Sequence, residues 1–266
     1  MKAICIMNLK GGVGKTVTAI NMAAVLARDY EKKVLLIDCD SQHNTTDFFG
    51  IETTPDDCNL SMLLRGAADP LYEPYIPDYI RFTDVSRLDV IPGDDTLMDL
   101  DISHLNNGRI KGDVLRNVMA CLEEDGEYDY VIYDCPPAFN AASAAALVAS
   151  TDVVIPIKLD AFSLSGLNNM LKQIWAMRRL NPRLRIDGCL ITMWTKSATD
   201  AEKQLREVNP KVLPVFSTVI RRSDKVDGST FAGDPLMIYS PRSAAGVDYR
   251  RFVAELMGQL GGDDNG

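Results

Sequence analysis

The 266-residue chain has only two histidines, His43 and His104, and its six cysteines show neither CxxC nor Cys/His ligand spacing. That absence leaves a zinc site without a donor set, and with no secretion signal it also argues against a disulfide framework. Reduced, mostly buried cytosolic thiols are expected instead. No apolar run reaches the roughly 20 residues of a membrane-spanning helix. The opening "MKAICIMNL" is too short for a signal-peptide core and runs straight into a glycine loop, so it reads as a strand. Internal repeats, linkers and a separate N-terminal DNA-binding module are missing too. An excess of positive charge is also lacking: 28 lysines and arginines face 37 acidic residues, a net charge of −9. This balance argues against a nucleic-acid partner, but the charge is unevenly spread. Residues 1–164 hold 13 basic and 26 acidic side chains, whereas residues 165–266 hold 15 and 11. The asymmetry marks either a basic surface on an acidic body or chance clustering on solvated helix faces.

What the sequence does contain is alternation. Short apolar or β-branched runs at 2–8, 33–38, 87–92, 128–134, 152–157, 187–193 and 215–220 predict strands. Several are almost continuously apolar, as strands buried on both faces should be. Between them lie helix-period segments near 16–30, 110–124, 140–149, 163–180, 199–208 and 243–260. In the first of these, Ala19, Met22, Ala23, Leu26, Ala27 and Tyr30 recur at three- and four-residue steps. The pattern predicts an α/β fold: a doubly wound, mainly parallel sheet with helices on both faces. Residues 1–260 read as a single domain, with "GGDDNG" (261–266) as a disordered tail.

The stretch "NLKGGVGKTVT" (8–18) fits the phosphate-loop pattern GxxxxGK[ST] except at its first position, where Leu9 replaces glycine. Gly11, Gly12 and Gly14 let successive backbone N–H groups turn around a β-phosphate, and the helix that follows adds its positive end. Lys15 is placed to neutralise β/γ oxygens, and the Thr16 hydroxyl to ligate Mg²⁺. The run Lys10, Gly11, Gly12, Val13, Gly14, Lys15, Thr16 and Val17 is therefore the expected nucleotide-binding segment. Lys10 is the anomaly, a second cation five residues before the first.

"KGGVGKT" is the deviant Walker A variant. With "LLIDCDSQHN" (35–44), "VIYDCPP" (131–137), "DVVIPIKLDAFSLSGL" (152–167), "ITMW" (191–194) and the segment 219–252, the chain resembles the ParA/Soj branch of the ParA/MinD ATPases over nearly its whole length. The resemblance implies a P-loop NTPase that hydrolyses ATP with Mg²⁺, slowly without a partner. It implies that Asp38 and Asp134 serve the metal and that Asp40 positions the attacking water, which makes Lys10, Lys15 and Asp40 the catalytic set. Asp38 and Asp40 flank Cys39, and in an extended chain both side chains point the same way. Lys10 could remain a redundant cation in its own site. The resemblance implies instead that ATP closes a homodimer in which each Lys10 reaches the other subunit's phosphates, with Gly11 at the closest contact. Three positions depart from the family pattern. Val17 replaces threonine but keeps its backbone N–H, while Ser41 and His43 replace proline and glycine after Asp40. His43 is either a contact residue or an exposed loop histidine.

The resemblance further implies non-specific double-stranded DNA binding, a ParB-like adaptor and a cytoplasmic, nucleoid-associated protein that segregates a chromosome, plasmid or integrative element. Arg222 and Lys225 fall nearest the family's DNA-contacting positions, and Lys196 lies beside another. Contacts of this kind need only cations displacing counterions. A MinD-like membrane-cycling ATPase is the rival. It requires a terminal amphipathic helix, and Phe252, Val253, Leu256, Met257 and Leu260 supply an apolar face. That face can equally dock on the sheet, and the acidic tail would be repelled by anionic lipid, so no membrane partner is expected.

Overall fold

The computed structural model describes residues 1–261 except 55, 68, 70, 107–109, 161–162 and 209–211. Of the expected tail 261–266, Gly261 instead ends the last helix, and 262–266 lie outside the described residues. Eight strands form one sheet: β1 (Lys2–Ile6), β2 (Val34–Asp38), β3 (Arg81–Phe82), β4 (Leu88–Ile91), β5 (Tyr130–Asp134), β6 (Asp152–Lys158), β7 (Arg185–Trp194) and β8 (Val215–Arg221). Their order is β3-β4-β2-β5-β1-β6-β7-β8. Every pairing is parallel except β3 with β4. All seven sequence-predicted strands are present. The eighth, β3, is a two-residue antiparallel edge, too short for any periodicity to reveal.

The helices are α1 (Lys15–Asp29), α2 (Asn44–Phe48), α3 (Leu60–Gly66), α4 (Ile102–Asn106), α5 (Val114–Asp125), α6 (Ala141–Ala149), α7 (Ser163–Met177), α8 (Thr199–Arg206), α9 (Lys225–Ala232), α10 (Leu236–Tyr239) and α11 (Ala244–Gly261). The six predicted helices correspond to α1, α5, α6, α7, α8 and α11. Those missing from the sequence reading are four to eight residues long and cover at most about two turns, so they show no sustained 3.6-residue period.

The sheet separates two apolar layers, and β2 and β5 are buried at every residue. The α1 face read from the sequence is buried at Ala19, Met22, Ala23, Leu26 and Ala27, but Ile20, Ala24 and Val25 are buried too. The reason is α11, which covers the outer side of α1 with fully or nearly fully buried Tyr249, Phe252, Val253 and Leu256. The Thr18 and Tyr249 hydroxyls meet across this contact at 3.2 Å. A parallel sheet of this kind gathers the carboxyl ends of its strands along one rim, where loops are free to build a site.

Candidate functional site

The loop between β1 and α1 is held at both ends by side chains absent from the sequence reading. Asn8 Oδ1 accepts the Lys10 N–H at 2.9 Å, while Asn8 Nδ2 donates to the Pro156 carbonyl of β6 at 2.7 Å. The Thr192 hydroxyl of β7 donates to the Val13 carbonyl at 2.8 Å. Gly12 and Gly14 adopt φ of 67° and 82°, a left-handed conformation that L side chains strain to reach. A Cβ at Gly11 or Gly12 would meet nothing within 4 Å, so the loop's open side is free for a ligand. Lys15 opens α1 and is 7% exposed, its Nζ donating to the Lys10 carbonyl at 3.3 Å. Burial lowers its pKa, against the opposing pull of Asp134, Asp40 and Cys135.

Asp38 and Asp134 end β2 and β5, are register partners, and are almost completely buried. The Thr46 N–H and hydroxyl donate to Asp38 Oδ2 at 2.9 and 2.8 Å, and the Asp40 N–H donates to Oδ1 at 3.2 Å. Burial nevertheless pushes Asp38 up to about 6, with the Asp40 charge adding to the effect. Burial and then the Asp38 charge hold Asp134 well above the usual carboxylate range, against the hydroxyls of Thr16 and Thr45. The Thr45 hydroxyl donates to Asp134 Oδ2 at 2.8 Å, but Oδ1 is buried with no hydrogen-bond partner. Asp40 is 8% exposed and accepts the Gln42 N–H at 3.0 Å.

An orphaned carboxylate oxygen, a second buried carboxylate and the Thr16 hydroxyl beside a lysine form a donor set that fits a cation. The donors are all oxygen, which suits a hard divalent ion. Among the described residues no three acidic, histidine or cysteine side chains converge as a metal cage. A cation here would therefore take its remaining ligands from water and a bound anion, as small, strongly hydrated Mg²⁺ does.

Lys10 is placed differently from Lys15. Its side chain leaves the loop and forms an ion pair with Asp160, just beyond β6. Beside the loop a cleft of about 570 Å³ starts at Gly14 and Val17 and passes Asp160, Met193, Trp194 and Arg222. Asp38, Asp40 and Asp134 do not line it.

Lys196 sits in the turn after β7, Arg222 follows β8, and Lys225 opens α9; all three are exposed. The Arg222 N–H donates to the Trp194 carbonyl at 3.0 Å, drawing the two strand exits together. Arg222 also lines the cleft, so its substitution can disturb a ligand there as well as any outer surface. Several other arginines of the basic C-terminal third are engaged in the fold. Arg221 pairs with Asp248 at 2.8 Å, Arg185 with Asp152 at 2.9 Å and Arg250 with Asp29 at 2.8 Å, while Arg178 stacks 3.8 Å from the Trp175 ring centroid. His43 has φ of 38°, precedes α2 and lies 3.0 Å from Asp47. Thr45 and Thr46 carried one readable signal, a pair of hydroxyls a few residues after Asp38 and Asp40.

Comparison with known proteins agrees with this geometry. A family model described as AAA domain matches residues 1–186. The chain is 33% identical over 259 residues to the chromosome partitioning protein ParA of Caulobacter vibrioides, covering 97% of this chain and 94% of that one. It is 34% identical over 258 residues to the sporulation initiation inhibitor protein Soj of Bacillus subtilis, covering 96% and 98%. Among solved structures, a Cyanothece McdA–ATP complex superposes with a TM-score of 0.80 at 27% identity, covering 97% of this chain and 96% of that one.

Proposed function

The chain belongs to the ParA/Soj-type ATPases of the deviant Walker A family, and from that premise we propose that it is a DNA-partitioning ATPase whose ATP-bound dimer holds DNA and whose hydrolysis releases it. The observation that carries this reading is the division of labour between the two lysines of one loop. Lys15 is buried inside the loop, whereas Lys10 reaches outward to the cleft rim with a third of its side chain exposed. A cation in that position is available to a second copy of the chain.

When bound, Mg²⁺-ATP supplies the transferable phosphoryl group and the charge that neutralises its oxygens. Lys15 and the backbone N–H groups of residues 11–17 bind and orient the phosphates. The Thr16 hydroxyl, Asp38 and Asp134 would hold the metal, whose positive charge would favour the ionised form of both carboxylates. Asp40 orients the attacking water, and Lys10 of the second copy adds charge where it develops in the transition state. Loss of the γ-phosphate removes the anion that offsets repulsion between the two loops, so the dimer opens.

DNA is held by exposed cations without base readout, and Lys196, Arg222 and Lys225 are the candidates. A ParB-like adaptor stimulates turnover, and the protein cycles on the nucleoid in the cytoplasm. The membrane-cycling rival needs the apolar face of α11, but Phe252, Val253 and Leu256 of that face are spent on the core.

Co-sedimentation with random-sequence duplex and with anionic liposomes, each with ATP, ADP and no nucleotide, tests the reading. Duplex should pellet the protein only with ATP and with steep salt dependence. Glutamate at Lys196 and Lys225 removes four contacts per dimer and should flatten the log–log salt slope by about 3 to 4. Binding to liposomes but not to duplex would overturn the proposal.

A further inference from the structure

We infer that Asp160 is the resting counter-ion of Lys10, and that surrendering it to a second copy's phosphates sets the threshold for ATP-dependent dimerisation. The inference rests on the reading above, in which Lys10 acts across the dimer. It identifies what that lysine does beforehand.

Two like charges in one short loop repel, and the fold separates them. Lys15 Nζ takes the Lys10 carbonyl oxygen, so the backbone of Lys10 belongs to the Lys15 environment while its side chain is directed elsewhere. That side chain meets the Asp160 carboxylate. The placement follows from the chain's anchors. Asn8 fixes the Lys10 N–H on one side and the Pro156 carbonyl on the other. Pro156 lies in β6, and Asp160 follows the end of that strand by two residues. One asparagine thus ties together the two segments that carry the ion pair, and the pair forms without a second ordering event.

The pair is also weak enough to be exchanged. Lys10 and Asp160 are 37% and 35% exposed in their side chains, so water screens the attraction. Ion pairs this open shift an equilibrium by about two- to fivefold. A triphosphate with several anionic oxygens is a stronger partner than one carboxylate. A diphosphate lacks the γ-oxygens at which a lysine in trans would aim, which leaves the Asp160 pair in place. Asp160 therefore acts as a positioning residue that makes Lys10 discriminate between nucleotide states, since each subunit gives up its own pair before it serves the other.

The test is sedimentation equilibrium at saturating Mg²⁺ and a non-hydrolysable ATP analogue, where nucleotide affinity no longer limits assembly. A symmetric dimer breaks two pairs, so Asp160→Asn should tighten dimerisation by about 4- to 25-fold. Asp160→Glu keeps the charge and should return the dissociation constant towards that of the wild type, which separates lost charge from altered loop structure. An Asp160→Asn protein that dimerises as the wild type does, or more weakly, overturns the inference. Lys10→Ala in the same assay isolates the underlying reading: if it dimerises as well as the wild type, Lys10 has no role across the dimer.

Discussion

Two carboxylate pairs, one fully buried and one partly buried, stand at opposite ends of the same sheet, and they resolve the same electrostatic problem differently. Asp38 and Asp134 occupy the carboxyl ends of β2 and β5, while Asp152 and Asp187 lie near the amino ends of β6 and β7. In each pair, burial and a neighbouring carboxylate drive one member far up: Asp134 at one end, and Asp187, pushed up to about 8, at the other. Each leaves one oxygen without an ordinary partner, Asp134 Oδ1 and Asp187 Oδ2. At the amino ends the remedy is internal. Arg185 donates to Asp152 at 2.9 and 3.1 Å, the Thr151 hydroxyl joins it at 2.5 Å, and a retained proton lets Asp187 share with Asp152. At the carboxyl ends, among the described residues, no arginine pairs with Asp38 or Asp134, and the nearby cation is Lys15, its pKa lowered by burial. A raised carboxylate beside an internal cation is architecture; one near a glycine loop and the start of a helix suits a ligand-binding role.

The contrast breaks first at Lys15. Its replacement by alanine should reduce Mg²⁺-nucleotide affinity by about 100-fold or more in calorimetric titration, because a buried anion then loses its charged partner. Nothing at Asp187 should change nucleotide affinity measurably.

Asp134→Asn probes the metal side. At neutral pH the apo protein should unfold within about 1 kcal/mol of wild type, since asparagine is neutral and burial already favours the neutral form of Asp134. The Mg²⁺ requirement should rise by about 10- to 100-fold, the usual cost of removing a group that supports a metal through its water. An unchanged Mg²⁺ requirement would place the cation elsewhere.

The smallest effect belongs to Asp187 and is read as pH dependence. A carboxyl raised in the folded state binds its proton more tightly there than in the unfolded chain. Its contribution is full below about pH 4 and is lost as pH rises through about 8. Wild-type melting temperature should therefore carry a downward slope across that window. Asp187→Asn should flatten the slope and gain most, relative to wild type, above pH 8, with nucleotide affinity untouched. An identical slope in the variant would remove Asp187 from the account.

The seven longer strands, six of the helices and the phosphate loop were legible because each rests on local chemistry. Continuous apolar runs, a 3.6-residue period and glycines at fixed spacing need no distant partner to be recognised. Lys15, Thr16, Asp38, Asp40 and Asp134 could be singled out the same way, since each sits beside such a signal. The tertiary structure alone decided what these groups face. Thr45 and Thr46 reach Asp134 and Asp38 from a five-residue helix that has no periodicity to betray it. Asn8 joins the loop to a strand about 150 residues away, and Asp160 meets Lys10 across the same separation. The basic C-terminal third looked like one cluster in sequence, yet folding assigns Arg185, Arg221 and Arg250 to internal carboxylates and leaves Lys196, Arg222 and Lys225 exposed at the rim. Sequence names the charged groups, but whether a charge is neutralised depends on which opposite charge lies within a few ångströms, and only the folded chain sets that distance.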